Sequence, residues 1–194
     1  MAIVVIYKKS IRHGYARAQR DGRIVMTVPY RLRDDKKFCV DLYAKAEKLE
    51  QKLKKKKSWQ PISDSQVMIF GDWFDRTDLP SDIDAYLTKL LGDYIQPLCD
   101  LYAAVIGKQY VSITIKKLRS KRGSCSSDQK LVFNRALVHL PLVVVRYVVV
   151  HEVAHLVHKH HQKSFWSLVT ILMPDFTKQR KFLRDIRMGS VDYY

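Results

Sequence analysis

The spacing of apolar residues along the chain predicts both strands and helices. Residues 2–7 are a run of β-branched residues, and residues 11–28 hold two further strand patterns that an Asp21-Gly22 turn would join into a hairpin. From about 38 to 57, apolar residues recur every three or four positions, as in a helix with one buried face. The first 60 residues are therefore expected to form a part of the chain that is rich in β-hairpin and ends in a helix.

The middle of the chain alternates between strand and helix patterns. It predicts a short strand at 67–70, a long helix that starts with Ser81 as its N-cap, and a half-exposed strand at 110–118. Pro97 is expected to kink or divide the long helix. Residues 119–129 are polar and predict a loop.

The last third is mainly helical in pattern. A short strand at 131–133 precedes Asn134, which is a suitable N-cap for a short helix. Two further helices are predicted to start at Ser164 and Asp175. The mixture of elements predicts an α+β fold.

Composition indicates a globular protein. With 194 residues and 47% apolar residues, the chain is expected to form a single domain over 1–194. Within it, residues 1–60 would form a basic hairpin-and-helix subregion, and residues 81–188 a helical core with a short sheet.

Charge is unevenly distributed along the chain, whose formal net charge is +16. Residues 1–60 carry 17 Lys and Arg against 6 Asp and Glu, residues 61–107 carry 2 against 8, and residues 108–194 carry 16 against 5. Basic surfaces attract polyanions, so nucleic acid is a candidate partner. The competing interpretation is a solvated surface, with the acidic segment docked on the basic ones.

Cysteine use and the apolar runs indicate the compartment. Cys39, Cys99 and Cys125 have no paired spacing, which favours a reducing environment. The apolar start is too short for a secretory signal. The most apolar run, 136–157, contains an arginine, a glutamate and three histidines, which argues against a membrane span. We therefore expect a cytoplasmic protein.

The motif with the clearest chemistry is His151-Glu152-Val153-Ala154-His155. On a helix, two histidines four positions apart lie on one face, about 6 Å apart along the axis, and can share one metal ion. A glutamate after the first histidine can take a proton from a metal-activated water. This is the H-E-x-x-H pattern of zinc hydrolases.

The metal hypothesis also decides the structure of the preceding segment. Residues 142–150 are rich in valine and favour a strand by propensity. On a strand, His151 and His155 would stand about 13 Å apart, too far for one ion. The motif therefore requires a helix, and one that is apolar nearly all round must be buried.

A third ligand is expected among His158, His160 and His161. His158 lies almost on the same helical face, but about 10 Å further along the axis than His151. If the helix ends near Lys159 and the chain turns back, His161 can return to the metal. This reasoning ranks His161 first, then His160, then His158.

Taken together, these features resemble the YgjP-like family of predicted zinc metallopeptidases, a zincin-type group. The resemblance covers nearly the whole chain. It rests on Gly22-Arg23-Ile24-Val25, Val28-Pro29, Tyr102 to Gly107, Gly123-Ser124-Cys125, Phe133-Asn134, Tyr147 to Glu152, His161, Phe165-Trp166 and Pro174-Asp175-Phe176. It implies a zincin-like metallopeptidase domain with a buried active-site helix, and the third ligand at His161.

Three positions depart from the family pattern. Arg122 replaces a usual tryptophan, His160 a usual asparagine, and Gln162 a usual serine. None of these changes removes a ligand or the base. They bear on substrate preference and on packing around the Gly-Ser-Cys segment.

The expected function is that of a zinc-dependent peptidase acting on a peptide or protein. His151, His155 and His161 would bind Zn²⁺, and Glu152 would be the general base for a zinc-activated water. Arg122, Ser124 and Asn134 are candidates for contacts with the substrate or transition state. The edge of the strand at 110–118 could receive an extended peptide.

Two alternatives remain open from the sequence. One is a nucleic-acid-associated binding protein, or a protease recruited to nucleic acid, which rests on charge alone. The other is a metal-dependent nucleoside triphosphate hydrolase, which no phosphate-binding glycine loop supports.

Overall fold

The chain forms two compact units. The computed structural model describes residues 3–19, 23–54, 57–118 and 121–188. The first unit contains Met1–Ser58 and Asp185–Arg187, and the second contains Trp59–Arg184 and Met188–Tyr194. That residues 1–194 form one domain stays a prediction.

The first unit is a three-stranded sheet with one helix. Strand β1 (Ile3–Lys8) pairs in parallel with β3 (Ile24–Pro29), and β2 (Tyr15–Ala18) pairs with β3 in the antiparallel sense. The antiparallel pair agrees with the predicted hairpin, although its turn at Asp21-Gly22 lies outside the described residues. Helix α1 (Lys36–Lys54) follows, and then a short strand, β4 (Lys57–Trp59).

The core of this unit lies between β3 and α1. Ile24, Met26 and Val28 alternate along β3, so they share one face of the sheet, and they form one buried cluster with Leu42 and Ala46 of α1. This is the single buried stripe that the periodicity of the helix predicts.

The second unit begins with a hairpin. Strands β5 (Gln66–Ile69) and β6 (Asp72–Asp75) pair antiparallel across Phe70 and Gly71. Both turn residues have positive φ, 51° and 102°, as in the tight turns that match the twist of a hairpin. The prediction that Phe70 continues the strand was therefore wrong.

Helix α2 (Ile83–Val105) is the longest element. Its N-cap is Asp82, whose side chain accepts a hydrogen bond from the Ala85 N–H at 3.0 Å. The prediction of Ser81 was thus one residue early, although both residue types are good N-caps. Pro97 lies within the helix and does not divide it.

A second three-stranded sheet has the order β7-β9-β8. Strand β7 (Ser112–Lys116) is parallel to the central strand β9 (Lys130–Asn134), and β8 (Gly123–Cys125) is antiparallel to it. The expectation of a loop throughout 119–129 was wrong, because β8 lies inside it. Its three residues show no alternation of apolar and polar side chains, and only the pairing with β9 makes them a strand.

Three helices complete the unit: α3 (Leu142–Ala154), α4 (Lys163–Leu172) and α5 (Phe176–Asp185). A last short strand, β10 (Ile186–Met188), follows. Helix α3 packs against α2, α4 and β8, and most of its side chains are buried. Burial therefore overrides the strand propensity of its valines, as the metal hypothesis required. Among the described residues, no helix is both long and apolar enough to cross a membrane.

A buried histidine ends the 3₁₀ helix Arg135–His139, which Asn134 caps. His139 has no exposed surface, and its Nδ1 is hydrogen-bonded to the carbonyl oxygen of Met68. Burial lowers the pKa of His139 to about 4, since an imidazolium cannot be hydrated there. The folded protein therefore takes up a proton at His139 only at a pH well below that of the unfolded chain.

This predicts an acid-dependent loss of stability. The folded pKa lies below the unfolded value, so the contribution is fully present above pH ~6.5 and is lost as the pH falls toward 4, by about 3 kcal/mol. His139→Asn keeps a donor for Met68 and should flatten the fall in unfolding free energy over that range, measured by urea denaturation of the metal-free protein. The exposed His13→Asn should change nothing, and an equal slope in all three proteins would contradict the prediction.

Candidate metal centre

Three histidines bring their ring nitrogens together at the end of α3. Nε2 of His161 lies 3.1 Å from Nε2 of His151 and 3.1 Å from Nε2 of His155. The donor atoms of all three residues lie within 4.8 Å of one another. His158 and His160 do not join them; their rings pair with each other at 5.7 Å. The structure thus groups the histidine that the sequence ranked first with the two of the motif.

The turn that returns His161 is made where α3 ends. Helix α3 stops at Ala154, earlier than the end near Lys159 that the sequence suggested, and His155 is its C-cap. Nδ1 of His155 is bonded to the carbonyl oxygen of His158 at 2.7 Å. The indole N–H of Trp166 donates to the carbonyl oxygen of His161 at 3.0 Å. These two bonds hold the segment between the second and third histidines. This segment contains no glycine, so the turn is made by residues with side chains.

The cluster suits a metal that prefers nitrogen ligands. Bonds of about 2.0–2.1 Å in tetrahedral geometry would place ligand nitrogens ~3.3 Å apart, near the observed 3.1 Å. Because the Nδ1 proton of His155 points to a carbonyl, its Nε2 lone pair faces the cluster. Burial lowers the pKa of His151 to about 3 and also lowers that of His155. These two rings are therefore neutral, as metal ligands must be.

Aromatic rings pack around the three imidazoles. Phe165, which is fully buried, stacks on His155 with ring centroids 4.6 Å apart. Trp166 stacks on His161 at 5.8 Å. Phe165 also meets the His151 ring edge to face at 5.0 Å. Both aromatic residues lie on the first turn of α4, so this helix packs against all three imidazole rings. Imidazole rings fixed in this way lose little further conformational freedom when a metal ion binds.

Glu152 follows His151 on α3 and is 5% exposed. Burial raises the pKa of its carboxyl group to about 8, and nearby Lys121 acts in the opposite direction. Gly123 of β8 lies against this carboxyl group. A Cβ built at this glycine would stand 2.7 Å from both Cγ and Oε1 of Glu152. Only glycine at this position leaves room for the carboxyl group.

The three residues predicted to contact the substrate or transition state, Arg122, Ser124 and Asn134, lie in or next to β8 and β9. Ser124 is half-buried in β8, and Arg122, just before it, donates from Nη2 to the carbonyl oxygen of Leu183. The Asn134 side chain donates to the carbonyl oxygens of Leu118 and Lys121, and its oxygen accepts from the Ala136 N–H. The amide of Asn134 therefore holds the loop before β8, and contacts of these three residues with a substrate stay predictions.

Two further features escaped the sequence analysis. Lys159 donates from Nζ to Cys125 Sγ at 3.3 Å and to the carbonyl oxygen of Ser126 at 2.8 Å, so it joins the turn after α3 to the end of β8. Arg180 places its guanidinium over the Trp166 ring, 4.0 Å from the centroid. Phe176 stacks on the same Trp166 ring, with centroids 5.7 Å apart. Arg180 follows Phe176 by four residues and so lies on the same helical face, which is a sequence signal for the second contact.

The chain is similar to known metallopeptidases. A family model described as YgjP-like, metallopeptidase domain, matches residues 29–186. The metallopeptidase zymogen of Pyrococcus abyssi abylysin is similar in structure, at 20% identity and a TM-score of 0.43, over 48% of this chain and 98% of that one. The metallopeptidase zymogen of Methanocaldococcus jannaschii jannalysin matches at 18% identity and a TM-score of 0.42, over 46% of this chain and 92% of that one. A comparison with curated proteins gave no match.

The contact between Gly123 and Glu152 predicts a local steric effect. Gly123→Ala should force the buried carboxyl group away from β8 and lower the free energy of unfolding by about 1–3 kcal/mol. Gly92→Ala in α2 is the control, because its Cβ would meet only Ile115 Cδ1 at 3.5 Å. It should be neutral or stabilise by up to about 1 kcal/mol. Denaturant titrations that give the two variants equal stability would refute the close approach.

Proposed function

The chain belongs to the YgjP-like metallopeptidase family, and on that premise we propose that it is a zinc peptidase with His151, His155 and His161 as ligands and Glu152 as general base. The observation that carries the proposal is the convergence of three Nε2 atoms, one of them from the residue directly before the buried Glu152. Neutral imidazoles suit zinc, and three protein ligands leave a position open for chemistry.

When bound, zinc supplies Lewis acidity, which lowers the pKa of a water molecule and polarises a carbonyl group. The chain's own residues handle the proton. A metal cation held by the three histidines would favour the carboxylate form of Glu152, against the burial that raises its pKa to about 8. As a carboxylate, Glu152 accepts a proton from the attacking water and then donates it to the leaving amine nitrogen.

The substrate is proposed to be a peptide in an extended conformation. Of the two edge strands in the sheet β7-β9-β8, β8 is the one that packs against α3. Its free edge is a template for main-chain hydrogen bonds, and Gly123 at its start touches Glu152. This favours β8 as the docking strand over the strand at 110–118 that the sequence suggested. Arg122 and Ser124 would then flank the bound peptide.

The alternative functions gain no support from the family. A metallopeptidase domain accounts for the histidine cluster without a nucleotide or a nucleic acid. The excess of Lys and Arg residues does not by itself identify a nucleic-acid partner.

The proposed ligand set predicts the metal content. Purified protein should contain one zinc ion per chain, and His155→Ala should lose it, because two imidazoles hold the ion much less tightly than three. His158→Ala is the matched control, since it keeps the backbone carbonyl that His155 uses and should retain zinc. The check is metal analysis by plasma mass spectrometry after dialysis. A zinc-free wild type, or full zinc in His155→Ala, would rule out this site.

The proposed base predicts a separation of binding from catalysis. Glu152→Gln has the same shape but cannot accept the proton, so it should keep zinc and lose at least about 100-fold in kcat on an unfolded protein substrate. Hydrolysis of nucleoside triphosphates, assayed in parallel, should be absent. If Glu152→Gln retains wild-type kcat with bound zinc, another group is the base.

A further inference from the structure

The sheet of the first unit carries positive charge without acids. Residues 3–19 and 23–33 form β1, β2, β3 and the segments next to them, and they contain no Asp or Glu. They contain seven cations: Lys8, Lys9, Arg12, Arg17, Arg23, Arg31 and Arg33. Arg20 and Asp21, between the two ranges, lie outside the described residues. The family match begins at residue 29, so it does not account for this sheet, of which all but the last residue of β3 comes earlier in the chain.

The topology of this sheet collects the charge at one end. Strand β1 ends at Lys8, which pairs with Pro29, the last residue of the parallel strand β3. Strand β2 is antiparallel to β3 and begins at Tyr15, so its start lies at the same end. The segments 9–14 and 30–33 leave the sheet there. Most of the cations therefore belong to this end of the sheet, namely Lys8, Lys9, Arg12, Arg31 and Arg33.

Two tyrosine rings lie among these cations. Tyr30, directly after β3, is 43% exposed. Lys9 Nζ lies 5.6 Å and Arg33 Cζ 4.5 Å from the centroid of its ring. Arg17 Cζ lies 4.5 Å from the centroid of the Tyr15 ring. Each ring thus contacts a cation, which is favourable because the face of an aromatic ring is negative.

Tyr15 and Arg17 lie on the face of the sheet that points away from α1. They pair with Thr27 and Val25 of β3, which alternate with the residues of β3 that pack on α1. Arg17 is exposed and Tyr15 is half-buried. A ligand on this face can therefore reach both side chains without displacing α1.

The acids that follow in the chain leave most of this charge without a counter-ion. Asp34 accepts from Arg33 Nε at 3.0 Å, and Asp35 accepts from a backbone N–H of α1 at 2.9 Å. Arg31 is held in place by a hydrogen bond from its Nη2 to the carbonyl oxygen of Arg12 at 3.1 Å, which is a neutral partner. Among the residues that the structure describes, five of the cations take part in no salt bridge: Lys8, Lys9, Arg12, Arg17 and Arg31.

Cations around aromatic rings suit a ligand that combines negative charge with flat rings. Phosphates bind Lys and Arg whatever the sequence of the nucleic acid, and this attraction supplies much of the affinity. Bases stack on tyrosine rings and on guanidinium planes. A protein ring can reach the face of a base only where that base is not stacked inside a duplex. The surface therefore fits a single strand better than a duplex, and better than an anion without rings.

We propose that this end of the first sheet binds single-stranded nucleic acid, with Lys9, Arg17 and Arg31 on phosphates and with bases stacked on Tyr15 and Tyr30. Net charge gives no position for such a partner, whereas the sheet topology and the two tyrosines do. DNA and RNA share this chemistry, and the test compares them. The inference goes beyond the peptidase proposal and does not depend on it, because it uses no residue of the histidine cluster.

The test measures binding of labelled oligonucleotides to the full-length protein by fluorescence anisotropy. Oligothymidylate and oligouridylate of about 20 nucleotides represent DNA and RNA, since known single-strand sites take up to about 16. At least one of them should bind about 10-fold more tightly than a duplex of equal length, because only a single strand exposes its bases to the tyrosines. The logarithm of its binding constant should fall against the logarithm of salt concentration with a slope of about −2, since three phosphate contacts contribute about −0.7 each. No binding, a slope near zero, or a duplex that binds as tightly would overturn the proposal.

A pair of double variants separates the site from net charge. Lys9→Gln with Arg17→Gln should weaken binding and make the salt slope shallower by about 1.4, because two phosphate contacts are lost. Lys45→Gln with Lys48→Gln is the matched control, since it removes the same charge from exposed positions on α1 and should keep the slope of the wild type. Equal losses in the two double variants would show that only net charge matters and would refute a site at this end of the sheet.

Substitution of Tyr30 tests the stacking. Tyr30→Leu keeps an apolar side chain without a ring and should weaken binding of the oligonucleotide about 10-fold. Tyr30→Phe keeps the ring and should bind as the wild type does. Inorganic polyphosphate has the charge but no bases, so Tyr30→Leu should not change its binding. If Tyr30→Leu binds the oligonucleotide as tightly as the wild type, the surface holds polyanions only and the proposal fails.

An anionic membrane is the other polyanion that this surface could meet. Vesicles of phosphatidylcholine with and without phosphatidylserine are therefore assayed beside the oligonucleotides by co-sedimentation. The expected result is that binding to the oligonucleotide persists in the absence of vesicles and depends on Lys9, Arg17 and Tyr30. Binding to the phosphatidylserine vesicles alone would assign the surface to a membrane and overturn the proposal.

Discussion

The hydrogen bond between His155 Nδ1 and the carbonyl oxygen of His158 is the interaction on which the site most depends. It uses the ring proton of His155, so that Nε2 faces the cluster as an acceptor. It also closes the turn at the end of α3, which brings His161 back within 3.1 Å of the other two rings. One bond thus sets both the tautomer of a proposed metal ligand and the path of the chain to the next histidine of the cluster.

The second constraint is burial. Helix α3 lies among other elements, and its residue Glu152 is 5% exposed, so the carboxyl group is held in one place and is easier to protonate than in water. The backbone of β8 can come this near only because Gly123 has no side chain. The same contact puts the free edge of a strand next to the proposed base. The burial of this acid and its closeness to the proposed docking edge therefore arise from one packing arrangement.

Periodicity and chemistry predicted much of this. The single buried stripe of α1, the long run of α2 and the Asn134 cap follow from local patterns, because a helix repeats every 3.6 residues and its end needs an acceptor. The helical state of α3 came from the spacing of two histidines, against the propensity of its valines. Strand β8 could not be found in this way, since three residues are too few to show a period.

The sequence by itself determined the family, the H-E-x-x-H chemistry and the order of preference among the later histidines, because these depend on residue types and on spacing within one helix. Only the tertiary structure decided where α3 ends and that β8 reaches Glu152. Gly123 and Glu152 are far apart in the chain and carry no shared pattern. Their contact depends on how β8 packs on α3, which no local signal in the sequence encodes.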